Sequence, residues 1–150
     1  MDKKYYAHSL DGKPPSDWQP LEEHLKNVAE MAEKCAAKFQ SADWAWNAAW
    51  LHDLGKAADE FQAYLFRENS LDDSEYDGTG HGRVNHSSAG AAFAEEILGP
   101  IIGVVNAYLA AGHHAGLPDF YSSDTGRAAL QVRLEEGKEN LSLSSIRKNL

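Results

Sequence analysis

A histidine and an aspartate stand side by side in residues 51–56, whose sequence is LHDLGK. Neutral imidazole and carboxylate groups both bind divalent transition metals, and one carboxylate can bridge two ions. Adjacent side chains on a regular helix point about 100° apart, so His52 and Asp53 converge on one ion only where a helix ends. Gly55 is expected to supply that ending. Residues 51–56 therefore predict a metal site at the end of a helix.

Four further histidines occur in contexts that suit the same site. His24 lies within a predicted amphipathic helix, and His86 directly precedes the predicted start of another. His113 and His114 lie at the end of an apolar helix, where adjacent side chains splay apart. Simpler interpretations exist: His24 as a buried histidine with one hydrogen-bond partner, and the histidine pair as residues that interact with a helix dipole. Together with His52, these histidines favour one shared metal site.

The elements that must position these residues are predicted to be helices, because apolar side chains repeat at intervals of three and four. The first expected helix has the core stripe Leu21, Leu25, Val28, Ala32, Cys35 and Phe39. The second is capped by Ser41 and ended by Gly55, the third covers residues 57–67, and the fourth is capped by Ser87 or Ser88 and ended by Gly99. The fifth, over residues 100–113, is expected to be the central buried helix, and the last runs from Asp124 or Thr125 to Glu136.

Other segments carry weaker patterns. Residues 68–83, which include His81, are interpreted as an exposed acidic loop, and the final fourteen residues as a short helix or a frayed tail. No strand-length alternation stands out. The predicted fold class is all-α, a compact helical bundle with a metal site between its helices.

Composition limits the class of protein. The 150 residues fit one domain that can fold without disulfides, and the single cysteine, Cys35, has no partner within the chain. No apolar run approaches the roughly 20 residues of a membrane span, and no signal peptide is recognised, so we expect a cytoplasmic protein with no membrane partner. The net charge of −9 argues against a broad basic surface for nucleic acid, although bound divalent cations would add positive charge beside a phosphate.

The order of motifs resembles the HD-domain metal-dependent phosphohydrolases. More narrowly, it resembles the HD nuclease domain of the CRISPR-associated helicase-nuclease of type I systems. The resemblance covers residues 5 to about 120 and rests on five motifs: YAHS at 6–9, WQPLEEHL at 18–25, LHDLGK at 51–56, NHSSAG at 85–90 and GHHAG at 112–116. The HD pair alone indicates only the superfamily, and the doubled histidine with the opening motif makes the narrower assignment specific.

The resemblance implies one or two divalent ions per chain, with Mn, Fe, Ni, Co and Mg as candidates, and Asp53 as the residue that bridges two ions. The implied ligands are His24, His52 and Asp53 for the first ion, and Asp53, His86, His113 and His114 for the second. Lys56 is expected to contact the scissile phosphate, and His8 to assist proton transfer or phosphate contact at the mouth of the site. A surface lysine and a surface histidine are the simpler alternatives for these two residues.

The sequence departs from the family pattern downstream. The family supplies a further aspartate to the first ion from a later helix, whereas this sequence has 36 residues after His114 and its Asp119 and Asp124 lie too early. A phosphate-binding Gly-x-x-x-x-Gly-Lys-Ser/Thr loop of a helicase motor is also missing. We therefore expect residues 1–150 to be a single HD nuclease domain without the C-terminal part of the family domain and without the helicase domains. The first metal position is then weak or empty.

Three functions remain open at this point. The resemblance favours a metal-dependent endonuclease that cleaves single-stranded DNA in CRISPR antiviral interference. The expected partners of that enzyme are single-stranded DNA, a helicase domain and the CRISPR effector complex, in trans or in a longer chain. The alternatives are an HD phosphohydrolase that acts on nucleotides and a catalytically silent metal-binding or docking module.

Overall fold

Helices dominate the structure, a computed structural model that describes residues 3–71, 84–121, 129–139 and 141–149. The helices are α1 (Leu21–Ala36), α2 (Ala42–His52), α3 (Asp59–Glu68), α4 (His86–Gly112), α5 (Leu130–Glu139) and α6 (Leu141–Asn149), with single 3-10 turns at Pro15–Asp17, Ala37–Phe39 and Leu54–Ala57. Strands β1 (Tyr6–His8) and β2 (Gln19–Pro20) pair antiparallel. The all-α prediction is confirmed, with this small sheet as an addition.

Helices α1 and α2 pack side by side. Leu21 and Leu25 are buried as the stripe predicts, but the buried line then runs through Ala29 and Ala36, and Cys35 is exposed. Small alanines allow the closer approach of a neighbouring helix, which explains why they replace the predicted stripe. The predicted core position of Phe39 is also wrong, because α1 ends at Ala36 and a 3-10 turn carries Phe39 to the surface.

Helix α2 ends at His52, three residues before Gly55. Asp53 follows with φ −113° and ψ 8°, and the 3-10 turn Leu54–Ala57 comes next. The prediction that Gly55 ends the helix is therefore wrong. Glycine is required there for another reason: a Cβ at Gly55 would lie 1.8 Å from the carbonyl oxygen of His86. The missing side chain lets the turn and the start of α4 touch backbone to backbone.

Helix α4 reverses direction at Gly99, where φ is 77° and ψ is 178°. This backbone conformation is essentially restricted to glycine, and Pro100 then occupies the first turn of the continuing helix, where proline is favoured. The two halves pack closely, since a Cβ on Gly103 would lie 2.7 Å from the Ala94 carbonyl oxygen. Residues 86–98 and 100–112 thus form a helical hairpin, with the break where the sequence predicts it.

Replacement of Gly99 by alanine is expected to lower the free energy of unfolding by about 1–3 kcal/mol, because alanine is strained at this φ and ψ. Urea denaturation followed by circular dichroism measures the effect. Pro100→Ala is the control, since it leaves Gly99 in place. A Gly99→Ala protein as stable as the unchanged chain would contradict the prediction.

The start of α4 differs from the prediction that Ser87 or Ser88 caps it. Asn85 is the N-cap: its Oδ1 accepts a hydrogen bond from the Ser88 backbone N–H at 3.2 Å, and its Nδ2 donates to the Ser88 hydroxyl at 2.8 Å. An amide side chain satisfies the first helical N–H groups as well as a serine does. His86 is therefore the first residue of α4, and both serines are buried in its first turn.

The second half of α4 is not the central buried helix that its composition predicts. Its small residues Gly103, Ala107 and Ala110 face the core, whereas the Ile101 side chain is 82% exposed and Val105 is also exposed. Close packing of the hairpin needs small side chains at the contact, so the larger ones are left outside. An apolar surface stripe results.

By length and composition alone, α4 is apolar enough to cross a membrane, with a mean hydropathy of 1.4 in its best window. The reversal at Gly99 divides it into halves of about 20 Å each. A hydrocarbon core is about 30 Å thick. Neither half is long enough to span such a core by itself.

The C-terminal helices complete the core. The side chains of Leu143 and Ile146 are buried, so residues 141–149 form a packed helix and the alternative of a frayed tail is wrong. Helix α5 is described from Leu130, and the predicted helix start at Asp124 or Thr125 lies outside the described residues. The same holds for His81 and for most of the predicted loop.

Candidate metal centre

The carboxylate of Asp53 lies at the centre of a histidine cluster and is 4% exposed. Its Oδ1 is 3.2 Å from Nε2 of His86 and 3.3 Å from Nε2 of His113. Its Oδ2 is 3.1 Å from Nε2 of His24 and 3.3 Å from Nε2 of His52. The two carboxylate oxygens therefore face two different pairs of imidazoles.

The histidines reach this point from three helices. His24 lies in the first turn of α1, His52 is the last residue of α2, and His86 is the first of α4. His113 and His114 follow the second half of α4. Because α4 reverses direction at Gly99, the end of this half lies beside His86, with 5.6 Å between the ring centres of His86 and His113. The structure thus brings together all five histidines that the sequence singles out beside Asp53.

Hydrogen bonds to the backbone orient two of the rings. Nδ1 of His52 donates to the Ala49 carbonyl oxygen at 2.5 Å, and Nδ1 of His113 donates to the Ala110 carbonyl oxygen at 2.6 Å. A carbonyl only accepts, so Nδ1 carries the hydrogen and Nε2 of the neutral ring presents a lone pair. This arrangement of a backbone partner on one nitrogen and a free lone pair on the other is typical of metal-binding histidines.

Two of these atoms are buried without a hydrogen-bond partner: Oδ1 of Asp53 and Nε2 of His113. In the neutral tautomer both are acceptors, and they face each other at 3.3 Å. Buried acceptors without a donor are costly, and a cation between or beside them removes the cost. The donor set of imidazole nitrogens and one carboxylate suits a first-row divalent metal.

Two groups of ligand atoms are close enough to hold an ion, with all atoms of each group within 4.8 Å of one another. One group is Asp53, His86, His113 and His114, and the other is His8, His24 and Asp53. In the described part of the chain, Asp53 is the carboxylate that both groups share. This sharing is the geometry that a bridging residue needs.

Burial and the neighbouring charges together set the charge of the cluster; burial dominates at His24 and His86, whereas the contacts with Asp53 and the Ala49 carbonyl raise the pKa of His52. Burial lowers the pKa of His24 and His86, which favours the neutral form that binds metals. Burial alone would raise the pKa of Asp53, but the surrounding imidazoles and the ammonium of Lys56 outweigh it and hold that pKa far below the usual range. Asp53 is therefore an anion at neutral pH.

The family model described as Cas3, HD domain, matches residues 7–149. This match spans nearly the whole chain. The chain belongs to the Cas3 HD domain family. A search of curated proteins found no match. Family membership confirms the resemblance seen in the motifs, and it makes the chain a member of a CRISPR-associated HD nuclease family, whose members are metal-dependent phosphohydrolases.

Lys56 of this HD domain is buried beside Asp53, so its interpretation as a surface lysine is wrong. Its Nζ donates to Oδ2 of Asp53 at 2.9 Å and to the Ala7 carbonyl oxygen at 3.1 Å, and it lies 5.7 Å from the centre of the Phe61 ring. An ammonium group has three N–H donors, so these two hydrogen bonds leave one for a further acceptor.

His8 of the HD domain lies on β1, and its side chain is exposed beside His24, with 5.0 Å between the two ring centres. The sequence gives His8 a role in proton transfer or phosphate contact. The structure also places it in one of the two ligand groups, which spacing along the chain does not indicate because 15 residues separate it from His24.

The aspartate that the family supplies downstream has no counterpart in the two ligand groups of the described residues. Asp119 is exposed, and Asp124 lies outside the described residues. His8 is the candidate ligand that this group contains beside His24 and Asp53.

Proposed function

We propose that the chain is a metal-dependent endonuclease that cleaves DNA phosphodiester bonds, preferentially in single-stranded DNA, during CRISPR antiviral interference. The observation that carries the proposal is the shared carboxylate of Asp53, which faces two groups of histidine nitrogens. Membership of the Cas3 HD family supports the same reaction class. The proposed partners are single-stranded DNA, a helicase domain and the CRISPR effector complex, in trans or in a longer chain.

The proposed ligands surround Asp53 and include His52, which belongs to neither of the two groups but whose Nε2 lies 3.3 Å from Oδ2 of Asp53. His24, His52 and Asp53 hold one ion, with His8 as an additional ligand candidate, and Asp53, His86, His113 and His114 hold the other. When bound, divalent ions activate a water molecule and neutralise charge on the attacked phosphate. Asp53 and the histidines supply these positions without rearrangement of the backbone, because Nε2 of four of the rings already faces the carboxylate.

Lys56 and His8 have separate proposed roles. The remaining N–H of Lys56 donates to a phosphate oxygen, while its bond to the Ala7 carbonyl holds the ammonium in place. The exposed ring of His8 is open to solvent and passes a proton to the leaving oxygen or contacts the phosphate. Both residues lie against Asp53 or its neighbour His24, so both reach the same phosphate.

The proposal is tested with circular single-stranded DNA and the purified chain in Mn²⁺, Ni²⁺, Co²⁺ or Fe²⁺. Conversion of circles to linear and shorter products is expected with at least one metal, and EDTA should stop it. Intact circles under all four metals contradict the nuclease proposal. Release of phosphate from free nucleotides with untouched DNA favours a nucleotide phosphohydrolase, and metal binding without either reaction favours a silent module.

Metal binding is expected to stabilise the fold, because the ligands come from elements that separate on unfolding. A ligand at one hundred times its Kd adds about 2.7 kcal/mol, which corresponds to a rise of about 5–10 °C in Tm for a chain of this size. Differential scanning fluorimetry with Mn²⁺ or Co²⁺ measures the shift, and EDTA should reverse it. An unchanged Tm at saturating metal would contradict a site built from the folded state.

A further inference from the structure

Arg133 on α5 contacts both ends of the α4 hairpin. Its Nη1 donates to the Ala111 carbonyl oxygen at 2.7 Å, and its Nη2 donates to the Ser87 hydroxyl at 2.6 Å. Its Nε lies 3.4 Å from the Ser88 hydroxyl. The two serines directly follow His86, and Ala111 precedes His113 by two residues. One guanidinium thus joins the two segments that carry three of the four ligands in one candidate group.

The partners of Arg133 are themselves held. The Ser87 hydroxyl donates to Oδ1 of Asn85 at 2.8 Å, which leaves its oxygen to accept from Arg133. The Ser88 hydroxyl accepts from Nδ2 of Asn85 at 2.8 Å. Helix α5 also lies directly against this turn, since a Cβ on Gly137 would be 2.4 Å from the Ser88 carbonyl oxygen. The residues on both sides of His86 therefore belong to one hydrogen-bond network with Arg133.

The position of Arg133 matters because of the shape of α4. The hairpin is joined at Gly99, and each half extends about 20 Å from that turn to its open end. A rotation of about 3° between the halves would displace one open end by about 1 Å over that length. Metal–ligand distances tolerate only about 0.2 Å. A hydrogen-bonded link at the open end removes this freedom, and Arg133 provides one there.

The chemistry of the residue fits this task. The planar guanidinium has five N–H donors in a fixed fork, so it can hold acceptors on two segments at a set separation. A lysine has one nitrogen and cannot reach the two hydroxyls and the carbonyl in the same geometry. The Ala111 carbonyl lies in the last turn of α4, where an arginine is a favourable partner for unpaired carbonyl groups.

We propose that Arg133 is a positioning residue of the metal centre, which sets the separation between His86 and the pair His113–His114. The inference rests on the proposed function in one respect: it requires these histidines and Asp53 to bind a metal ion. Arg133 itself is not a ligand, and it acts through Ser87, Ser88 and the Ala111 carbonyl.

The test uses Co²⁺ alone as the probe, with isothermal titration for affinity and visible absorption for ligand geometry. Arg133→Met and Arg133→Lys are expected to keep their helical circular dichroism but to bind Co²⁺ about 10–100-fold more weakly, the usual effect of a lost partner behind a ligand. Their visible spectra at saturating Co²⁺ should also differ from that of the unchanged chain. A purely stabilising arginine would lower the Tm and leave the saturated spectrum unchanged.

Arg147→Met is the matched control, because Arg147 is an exposed arginine on α6 that pairs with Glu96. It should bind Co²⁺ with unchanged affinity and spectrum. Ser87→Ala should weaken binding several-fold, and its effect should not add to that of Arg133→Met, since both remove the same link. Ser87→Ala also tests the positioning role if Arg133→Met does not fold, because Ser87→Ala keeps the hydrogen bond from Arg133 to the Ala111 carbonyl oxygen.

The outcomes separate the two proposals. If Arg133→Met folds and binds Co²⁺ with the affinity and spectrum of the unchanged chain, the positioning role is overturned. If Arg133→Met does not fold, unchanged Co²⁺ binding by Ser87→Ala overturns it instead. If the unchanged chain and Arg147→Met both fail to bind Co²⁺, the proposed metal centre fails and the role of Arg133 fails with it. Weaker binding confined to Arg133 and Ser87 variants supports the positioning role.

Discussion

Asp53→Asn is expected to abolish metal binding and DNA cleavage, because the variant removes the one anion that both histidine groups share. An amide oxygen is a weaker ligand than a carboxylate and cannot balance the charge of two ions. Titration with Mn²⁺ or Co²⁺ measures binding, and conversion of circular single-stranded DNA measures cleavage. Cleavage by Asp53→Asn at the rate of the unchanged chain would exclude Asp53 as the bridge.

The same substitution leaves Lys56 buried without its counter-ion. Removal of one partner from a buried ion pair costs about 3–5 kcal/mol, so Asp53→Asn alone is expected to be destabilised. The double variant Asp53→Asn with Lys56→Met removes both charges and should recover much of that stability without recovering metal binding. It separates loss of ligand from loss of fold.

A second control tests whether any buried aspartate would have the same effect. Asp59 is also buried and pairs with Lys3 at 2.8 Å, outside both ligand groups. Asp59→Asn should lower stability while metal affinity stays within a few-fold of that of the unchanged chain. Equal losses of metal binding in both variants would point to a general effect on folding.

Gly55→Ala is expected to displace His86 from Asp53. The new Cβ would lie 1.8 Å from the His86 carbonyl oxygen, whereas ordinary contacts of a Cβ are longer than 3.0 Å, so the two backbones must separate by about 1 Å. Such overpacking costs about 1–3 kcal/mol. Separation by that amount far exceeds the tolerance of a metal–ligand distance. The group Asp53, His86, His113 and His114 should therefore lose its ion, while the group around His24 is less affected.

Metal stoichiometry measures this outcome. A chain that holds two ions should fall to one in Gly55→Ala, and a chain that holds only the ion at His86 should fall to none. Gly12→Ala is the control: nothing lies within 4 Å of the added Cβ, and the variant carries only the strain of a positive φ. Unchanged stoichiometry in Gly55→Ala would show that the close approach is not needed for binding.

Local patterns predicted those elements whose stability depends on local periodicity. The positions of α1 and α3 along the chain and the Gly-Pro break inside α4 correspond to the structure, although the buried line of α1 departs from the predicted stripe after Leu25. The motifs around His52 and His113 indicated the family that the match over residues 7–149 confirms. Their side chains are of types that bind metals, and they lie at predicted helix ends. The sequence shows both the residue type and its position along the chain.

Other predictions failed where packing between distant segments decides the outcome. The composition of residues 100–112 predicted a buried helix. In the structure its small residues are buried in the core, whereas Ile101 is exposed. The contacts of Arg133 were not predicted at all. Its partners are Ser87, Ser88 and Ala111, and no local pattern reports a contact across 45 residues.

The sequence by itself determined that this protein is helical, that it belongs to the HD family, and which side chains are available as ligands around Asp53. Tertiary structure alone decided how these candidate ligands are grouped. His8 lies in one group with His24, and Lys56 is buried against Asp53. Gly55 does not end a helix but contacts the backbone of His86. The reason is physical: helix formation depends on neighbours within four residues, whereas distances between ligands depend on how separate segments pack.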